Sequence, residues 1–441
     1  MISSGFRLSH WLLWASCLLL SLPHTCEAAH FSVSTVPQLQ QALGQAGAGD
    51  QLSLAPGVYR TQLRIDKPLT LTGPASAIID AGGQGSAIVV ASDDVRIDGL
   101  TIRNWGADLY QLDAGIRGRE VSRIQVVNAQ LKGPGFGIRF DKGEGFELLG
   151  NRIEGDRSSR VIERGDGIYL KGTGPARITN NRLVGGRDGV YVESCSGVDI
   201  DDNRMSEQQY PVHYMYAKDS GASGNDSWDV VGGYAIMGSQ RIKVIGNRVR
   251  DAIEFGVLLN ITNDSVVRHN YVSGVSNPRA AEVFDGEGKG VFIYGARDNE
   301  ISSNHFQSSQ IGISMAMGGE GNLIYDNLFI HNTVQVKYVG EHVLDWSHRG
   351  VGNFWSSYSG WDLDGDGIGD QSYRPNDALD RLFWIYPEGR FLMDSPVVSV
   401  LRWLEQQFQT ADSAGISDHR PKMVPQWQWQ PQRSASWSNE Q

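Results

Sequence analysis

Cysteine is nearly absent from this chain: three residues in 441, Cys17, Cys26 and Cys195. That excludes a disulfide framework. Proline is sparse at 15 residues, while glycine reaches 53 without the every-third-residue period of a collagen. An excess of basic residues is lacking too. Lys and Arg total 39 against 50 Asp and Glu, a net charge of −11, so nucleic acid is not an expected partner. After residue 22 no apolar run approaches the roughly twenty residues that a membrane helix needs. What is present is a hydrophobic content of 40%, too high for a disordered chain, and a length compatible with two or three domains.

The N-terminus reads as an export signal. Arg7 precedes an apolar run from Trp11 to Leu22, Pro23 breaks it, and Cys26-Glu27-Ala28 places small residues at the −3 and −1 positions. A signal peptide over residues 1–29, cut after Ala28 or Ala29, leaves Cys195 as the single mature thiol.

The glycines are organised by an internal repeat. Asparagines followed by apolar residues recur at Asn104, Asn128, Asn151, Asn181 and Asn203, and continue to Asn327, mostly 22 or 23 residues apart. A second ladder, glycine followed by a short β-branched or aromatic run, includes Gly115, Gly137, Gly167, Gly189, Gly233, Gly256, Gly290 and Gly312, with Pro211 in one slot. Both ladders lengthen near 151–167 and 270–290, so they share one register. The runs alternate, as in Gly189-Val-Tyr-Val, which is the pattern of half-buried strands. Glycine before each strand is expected to supply a positive-φ corner, and asparagine a left-handed corner and a stacked amide ladder. Stacked coils bury what one repeat cannot. The fold class expected is all-β: a right-handed parallel β-helix of ten to twelve coils between about residues 50 and 340. A leucine-rich horseshoe is disfavoured because leucine does not dominate and no repeat carries a helix.

The expected organisation follows. Residues 30–340 form the β-helix with an N-terminal capping helix at 36–47. Insertions at about 152–163 and 276–288 loop out on its flank. Residues 341–394 hold an acidic cation-loop segment, 395–410 an amphipathic helix, and 411–441, rich in Gln, Ser and Trp, a disordered tail. The helix opens on Ser395-Pro396 and carries Val397, Val398, Leu401, Leu404 and Phe408 as its apolar stripe.

The repeat also assigns side chains to faces. Positions one and three after each glycine point inward, two and four outward. His213 and Met215 then share one outer strand face, and Met237 stacks over Met215 on the next coil. Outward methionines on neighbouring coils are unusual, since Met normally fills cores. Thioether and imidazole donors suit Cu(I), so His213, Met215 and Met237 are a candidate transient copper site, against packing beneath a loop or the C-terminal segment. Met315 counts as inward core, and Cys195 as a small buried hydrophobe.

Asp362-Leu-Asp364-Gly-Asp366-Gly-Ile-Gly-Asp370 matches the first part of a calcium loop: carboxylates at 1, 3, 5 and 9, glycine at 6. Position 12 is Tyr373 where Glu is usual, and Asp377 or Asp380 are the substitutes. A structural Ca²⁺ or Mg²⁺ at Asp362, Asp364, Asp366 and Asp370 is the expectation, against a solvated acidic turn. Catalytic carboxylates are harder to find. Asp166, Asp188, Glu193 and Glu254 are available, but Asp166 and Asp188 are accounted for by corner geometry, and an acidic protein attracts polyanions poorly.

The stretch from Gly352 to Asp370, with Gln335-Val-Lys-Tyr-Val-Gly340, Leu344-Asp-Trp346, Tyr373-Arg-Pro-Asn376 and the Ser395–Trp403 helix, resembles the NosD family over nearly the whole mature chain. The resemblance implies a periplasmic accessory protein in the maturation of nitrous oxide reductase, a denitrification enzyme. It implies no catalytic activity. The implied partners are an ABC-type membrane permease with its ATPase, a copper-chaperone lipoprotein and the apo-reductase, whose copper–sulfide centre is being assembled. The alternatives are a carbohydrate-active β-helix lyase or epimerase, and a copper-free docking scaffold.

Overall fold

The computed structural model describes residues 28–340, 342–376, 378–392, 395–407 and 415–425. The expected signal peptide lies outside the described residues over 1–27, as do Asp377, Phe408 and residues 409–414 and 426–441 of the expected tail.

The chain winds into a parallel β-solenoid whose three sheets hold thirteen, thirteen and twelve strands. Each coil gives one strand to each sheet in turn. Thus Arg96–Asp98 joins the first sheet, Thr101–Arg103 the second and Ala114–Arg119 the third. The third sheet contributes twelve coils between Leu63 and Tyr338, the upper end of the expected range, and the other two sheets extend one strand further. Strands repeat because inward positions are apolar on every coil. Ile168, Val190, Val212, Tyr234, Val257 and Val291 stack as one column, each fully buried. At about 25 cal/mol per Å² of apolar surface removed from water, such columns supply the main driving force.

The glycine ladder works differently from the sequence expectation. None of its eight members has a positive φ. They lie at strand starts, where backbones of adjacent coils meet. A Cβ on Gly233 would sit 1.9 Å from the carbonyl oxygen of Gly256, and one on Gly137 would sit 2.4 Å from that of Gly167. Close approach, not corner conformation, requires glycine there.

The amide ladder is present, starting at Asn151. Each Asn Nδ2 donates to the Oδ1 of the asparagine one coil on, as in Asn203 to Asn225 at 2.9 Å and Asn225 to Asn247 at 2.9 Å. The left-handed corner belongs to the preceding residue, for example Asn180, Asp202 or Gly224. Asn104 and Asn128 are themselves left-handed corners, not ladder members.

Helix α1 (Val36–Gln45) covers the N-terminal end. The Thr35 side chain accepts from Gln38 N, and Leu39 and Ala42 are buried against the first coil. Two helices follow the solenoid: α2 (Ala378–Ile385), which the sequence reading had within an undivided loop segment, and α3 (Pro396–Gln407). Ser395 Oγ accepts from Val398 N at 3.3 Å, an N-cap. Among the stripe residues Val398 is buried, while Val397 and Leu401 are exposed.

The expectation of a structureless 411–441 does not hold for 415–425. Gly415–Ser417 pairs in parallel with Val343–Asp345. Asp418, fully buried, then accepts from Asn353 N at 2.7 Å and from Trp355 Nε1 at 2.9 Å. The segment closes the C-terminal end because it satisfies backbone and side-chain donors that the last coil leaves open.

Both expected insertions leave the same corner, between the second and third sheets. They carry short 3-10 turns at Val161–Glu163 and Ala280–Glu282. The first begins after Glu154, since Arg152–Glu154 is itself a strand. A third insertion at this corner, residues 104–113, escaped the spacing because the ladders begin there.

Candidate functional site

In chain order the three insertions, 104–113, 155–167 and 276–288, border the outer face of the third sheet. Leu109 and Leu112 of the first pack on Ala114, Phe136 and Tyr169. Arg164 of the second donates to the carbonyls of Gly185 and Glu207 at 3.3 and 3.2 Å. The third is fastened by Lys337, whose Nζ lies 2.6 Å from Asp285 and 3.3 Å from Glu287.

Between them stand the residues expected from the repeat. Tyr210–Met215 pairs with Tyr234–Met237 in the register Met215↔Met237 and His213↔Ala235. Tyr191 and Glu193 occupy the same two rows one coil earlier. Met215 and Met237 are half-buried. Met237 packs against a cluster of Ala235, Phe255 and Leu258 outside the solenoid core.

His213 is only 8% exposed. Its ring packs 4.5 Å, centroid to centroid, from Tyr191 and 5.3 Å, edge-on, from Tyr210. Nδ1 lies 2.9 Å from Asp188 Oδ2. Nε2 is buried and has no hydrogen-bond partner. A carboxylate accepts and does not donate, so Nδ1 carries the proton of the neutral ring and Nε2 keeps its lone pair. A metal-ligating histidine is held in this way by a carboxylate on its far nitrogen. An orphaned buried polar atom otherwise costs about 1–3 kcal/mol.

Asp188 belongs to a buried network that sequence reasoning missed. Its backbone N–H donates to Asp166 Oδ1 at 3.1 Å, and Tyr210 N–H donates to Asp188 Oδ1 at 3.2 Å. Arg187 grips Asp166 with two bonds of 2.9 Å. Burial first, then the neighbouring Asp188, raise the Asp166 carboxyl well above the usual carboxylate range, and Arg187 opposes them. Asp166 is 1% exposed and Asp188 2%, out of reach of a bound sugar. Glu193 is taken up by Lys171 at 2.8 Å. The sequence holds the position of Asp188 but not its role. That residue occupies the slot before the glycine, one coil ahead of the histidine row.

The acidic loop is only partly assembled. Asp362, Asp364 and Asp366 bring one carboxylate oxygen each within 4.8 Å of the others, the one such cluster of His, Cys, Asp or Glu among the described residues. Asp370 stands outside the trio, and its Oδ2 accepts from Leu363 N at 2.7 Å. Asp362 also accepts from Gly365, Asp366 and Gly367 N–H groups, which hold its carboxyl below the usual range and shape the turn. Cys195 is in the core, its thiol pushed up by burial, and Met315 is buried as counted.

Comparison with known proteins adds three findings. A family model described as "Periplasmic copper-binding protein (NosD)" matches residues 149–360. Two relatives carry the name "Probable ABC transporter binding protein NosD". The one from Stutzerimonas stutzeri is 37% identical over 413 residues, covering 93% of both chains. The one from Pseudomonas aeruginosa is 40% identical over 382 residues, covering 86% of this chain and 89% of that one. Among solved structures, the Dettilon tailspike matches with TM-score 0.53 at 16% identity, over 68% of this chain and 64% of that one. A lidless DFA-IIIase from Arthrobacter chlorophenolicus A6 matches with TM-score 0.52 at 15% identity, over 76% of this chain and all of that one. At such identities these two share the fold alone.

Proposed function

The chain belongs to the NosD family, and from that premise we propose that it is a periplasmic, non-enzymatic component of an ABC-transporter-type complex. Its task is to assist copper delivery to apo nitrous oxide reductase and assembly of the copper–sulfide centre. Copper is cargo here, taken from a chaperone lipoprotein and passed on while the permease and its ATPase supply the work. The observation that carries the reading is His213: a buried imidazole with Nδ1 fixed by Asp188 and an unpartnered Nε2, in the same strand face as Met215 and one coil from Met237.

One imidazole and two thioethers make a soft donor set that holds Cu(I) without a thiolate. Half-buried methionines can exchange a ligand with an incoming donor, which transient handling needs. The exposed Val397, Val400, Leu401 and Trp403 of α3 support a contact between that helix and the membrane subunit. The trio Asp362, Asp364 and Asp366 is proposed as a structural Ca²⁺ or Mg²⁺ site, with Asp370 serving the turn.

Anaerobic Cu(I) titration against a competing chelator tests the reading. The wild-type mature chain should bind one Cu(I), and His213→Ala/Met215→Ala/Met237→Ala should lose that site. Equal affinity in the two proteins would remove these ligands, and no binding by either would favour the copper-free scaffold. Turnover of alginate or pectin would favour the enzyme reading instead.

A further inference from the structure

The second sheet carries a charge pattern that the net charge hides. Its outer face stacks Arg152, Arg182 and Arg204 on three consecutive coils, in direct register. The row continues through Asp226 to Arg248. The parallel row beside it begins Arg103, Lys132, Glu154. Neighbouring strands lie about 4.8 Å apart, and like charges directly opposite one another destabilise a sheet. Some of this charge is neutralised locally. Arg103 pairs with Asp80 at 2.9 Å, and Arg152 with Glu154 at 2.6 Å. Arg182 is exposed, sits between two arginines, and forms no ion pair among the described residues. Open clefts border the row. One of about 460 Å³ is lined by Arg152, Arg182, Asn128 and Asn180, and one of about 200 Å³ by Arg103, Lys132 and Arg152.

In a chain with a net charge of −11, three arginines stacked in register make a local positive field. We propose that this face of the second sheet docks a protein partner through an acidic segment lying across the strands. Guanidinium forks engage carboxylates in pairs, so a row of them selects carboxylates over isolated dipoles. Two features favour a protein over a uniform polyanion or a lipid surface. Glu154 and Asp226 interrupt the rows, and a folded partner can match such interruptions while a uniformly charged polymer meets them as repulsion. At one end Arg250 lies 5.5 Å over Trp228, and Arg248 5.6 Å over Tyr271. Arg, Trp and Tyr are the residue types enriched in protein interfaces. The acidic remainder of the surface repels the same partner and so fixes its orientation. This surface is independent of the copper site, which faces outward from a different sheet.

The test uses the mature full chain and a labelled peptide of Glu and Asp interspersed with single Lys residues, followed by fluorescence anisotropy at two salt concentrations. Binding is expected at low salt and should weaken as salt rises. Arg152→Gln/Arg182→Gln should lose about tenfold or more in affinity, consistent with loss of charge-assisted bidentate contacts. Arg182→Lys should lose less than Arg182→Gln. Arg177→Gln, on the first sheet, should change nothing. Circular dichroism and the melting temperature check that each variant is folded. Absence of binding by wild type, or equal binding by the double variant, overturns the proposal. So does wild-type binding to poly-L-glutamate, polygalacturonate or phosphatidylglycerol vesicles that is as tight as binding to the peptide.

Discussion

Two faces of one solenoid are built on the same backbone repeat and end in opposite chemical states. On the third sheet, insertions from one corner border the outer face, and its ion pairs reach into buried carboxylates and cations: Arg187 with Asp166, Asp188 with His213, Lys337 with Asp285, while His213 Nε2 stays unpartnered. On the second sheet Lys132, Arg152 and Arg182 are exposed; Lys132 and Arg152 share Glu154, and Arg182 forms no ion pair among the described residues. The repeat sets the register of both faces. The insertions decide which face becomes a low-dielectric site and which remains an electrostatic one.

The widest break in this comparison comes from the scaffold that both faces share. Gly233→Val forces a side chain into the Gly256 carbonyl, 1.9 Å from the ideal Cβ position. It should cost more than about 3 kcal/mol in urea unfolding or abolish expression of folded protein, because neither face can move aside. Next comes the contrast between two arginines. Arg187→Ala leaves Asp166 buried beside Asp188 without its cation and should cost about 3–5 kcal/mol. Arg182→Ala, on the open face, should stay within about 0.5 kcal/mol. Similar costs for the two would erase the distinction between the faces.

Copper binding gives a smaller effect. His213→Ala should weaken Cu(I) about tenfold or more, near 1.4 kcal/mol, and Asp188→Asn should weaken it less, by releasing the ring orientation. Solvent conditions sharpen the contrast further. Asp166 binds its proton more tightly folded than unfolded, since its folded carboxyl lies above the usual range. Unfolding free energy should therefore fall as pH rises from about 4, the unfolded value, towards that raised value. Asp166→Asn should flatten this slope. Salt should act on the open face and leave this pH slope unchanged. The smallest effect is expected at the acidic loop. Calcium should raise the melting temperature slightly, and Asp364→Asn should remove that increment.

Much of the solenoid was legible because burial repeats every 22 or 23 residues, so one register error would have shifted every later coil. That register correctly put His213, Met215 and Met237 on one outer face. The role of Asp188 was not legible, since Asp-Gly before a strand is also a common turn pair. Its partner His213 lies 25 residues away. The reason for the ladder glycines was misread because a pattern records that a side chain is excluded, not whether φ or a neighbouring carbonyl excludes it. The closing segment 415–425 was invisible for a related reason. Its three-residue strand pairs with Val343–Asp345 across some seventy residues, and its composition is that of a polar tail.

The asparagine ladder has an electrical direction. Every amide from Asn151 onward donates toward the C-terminal end of the solenoid, through Asn327 to Asn353 at 3.0 Å. The row is thus a string of aligned dipoles with its positive pole at the last coil, where Asn353 meets the carboxylate of Asp418. An anion at that pole is the solenoid's counterpart of an acidic residue at the start of an α-helix. The chain supplies it last, from a segment that only a completed solenoid can seat.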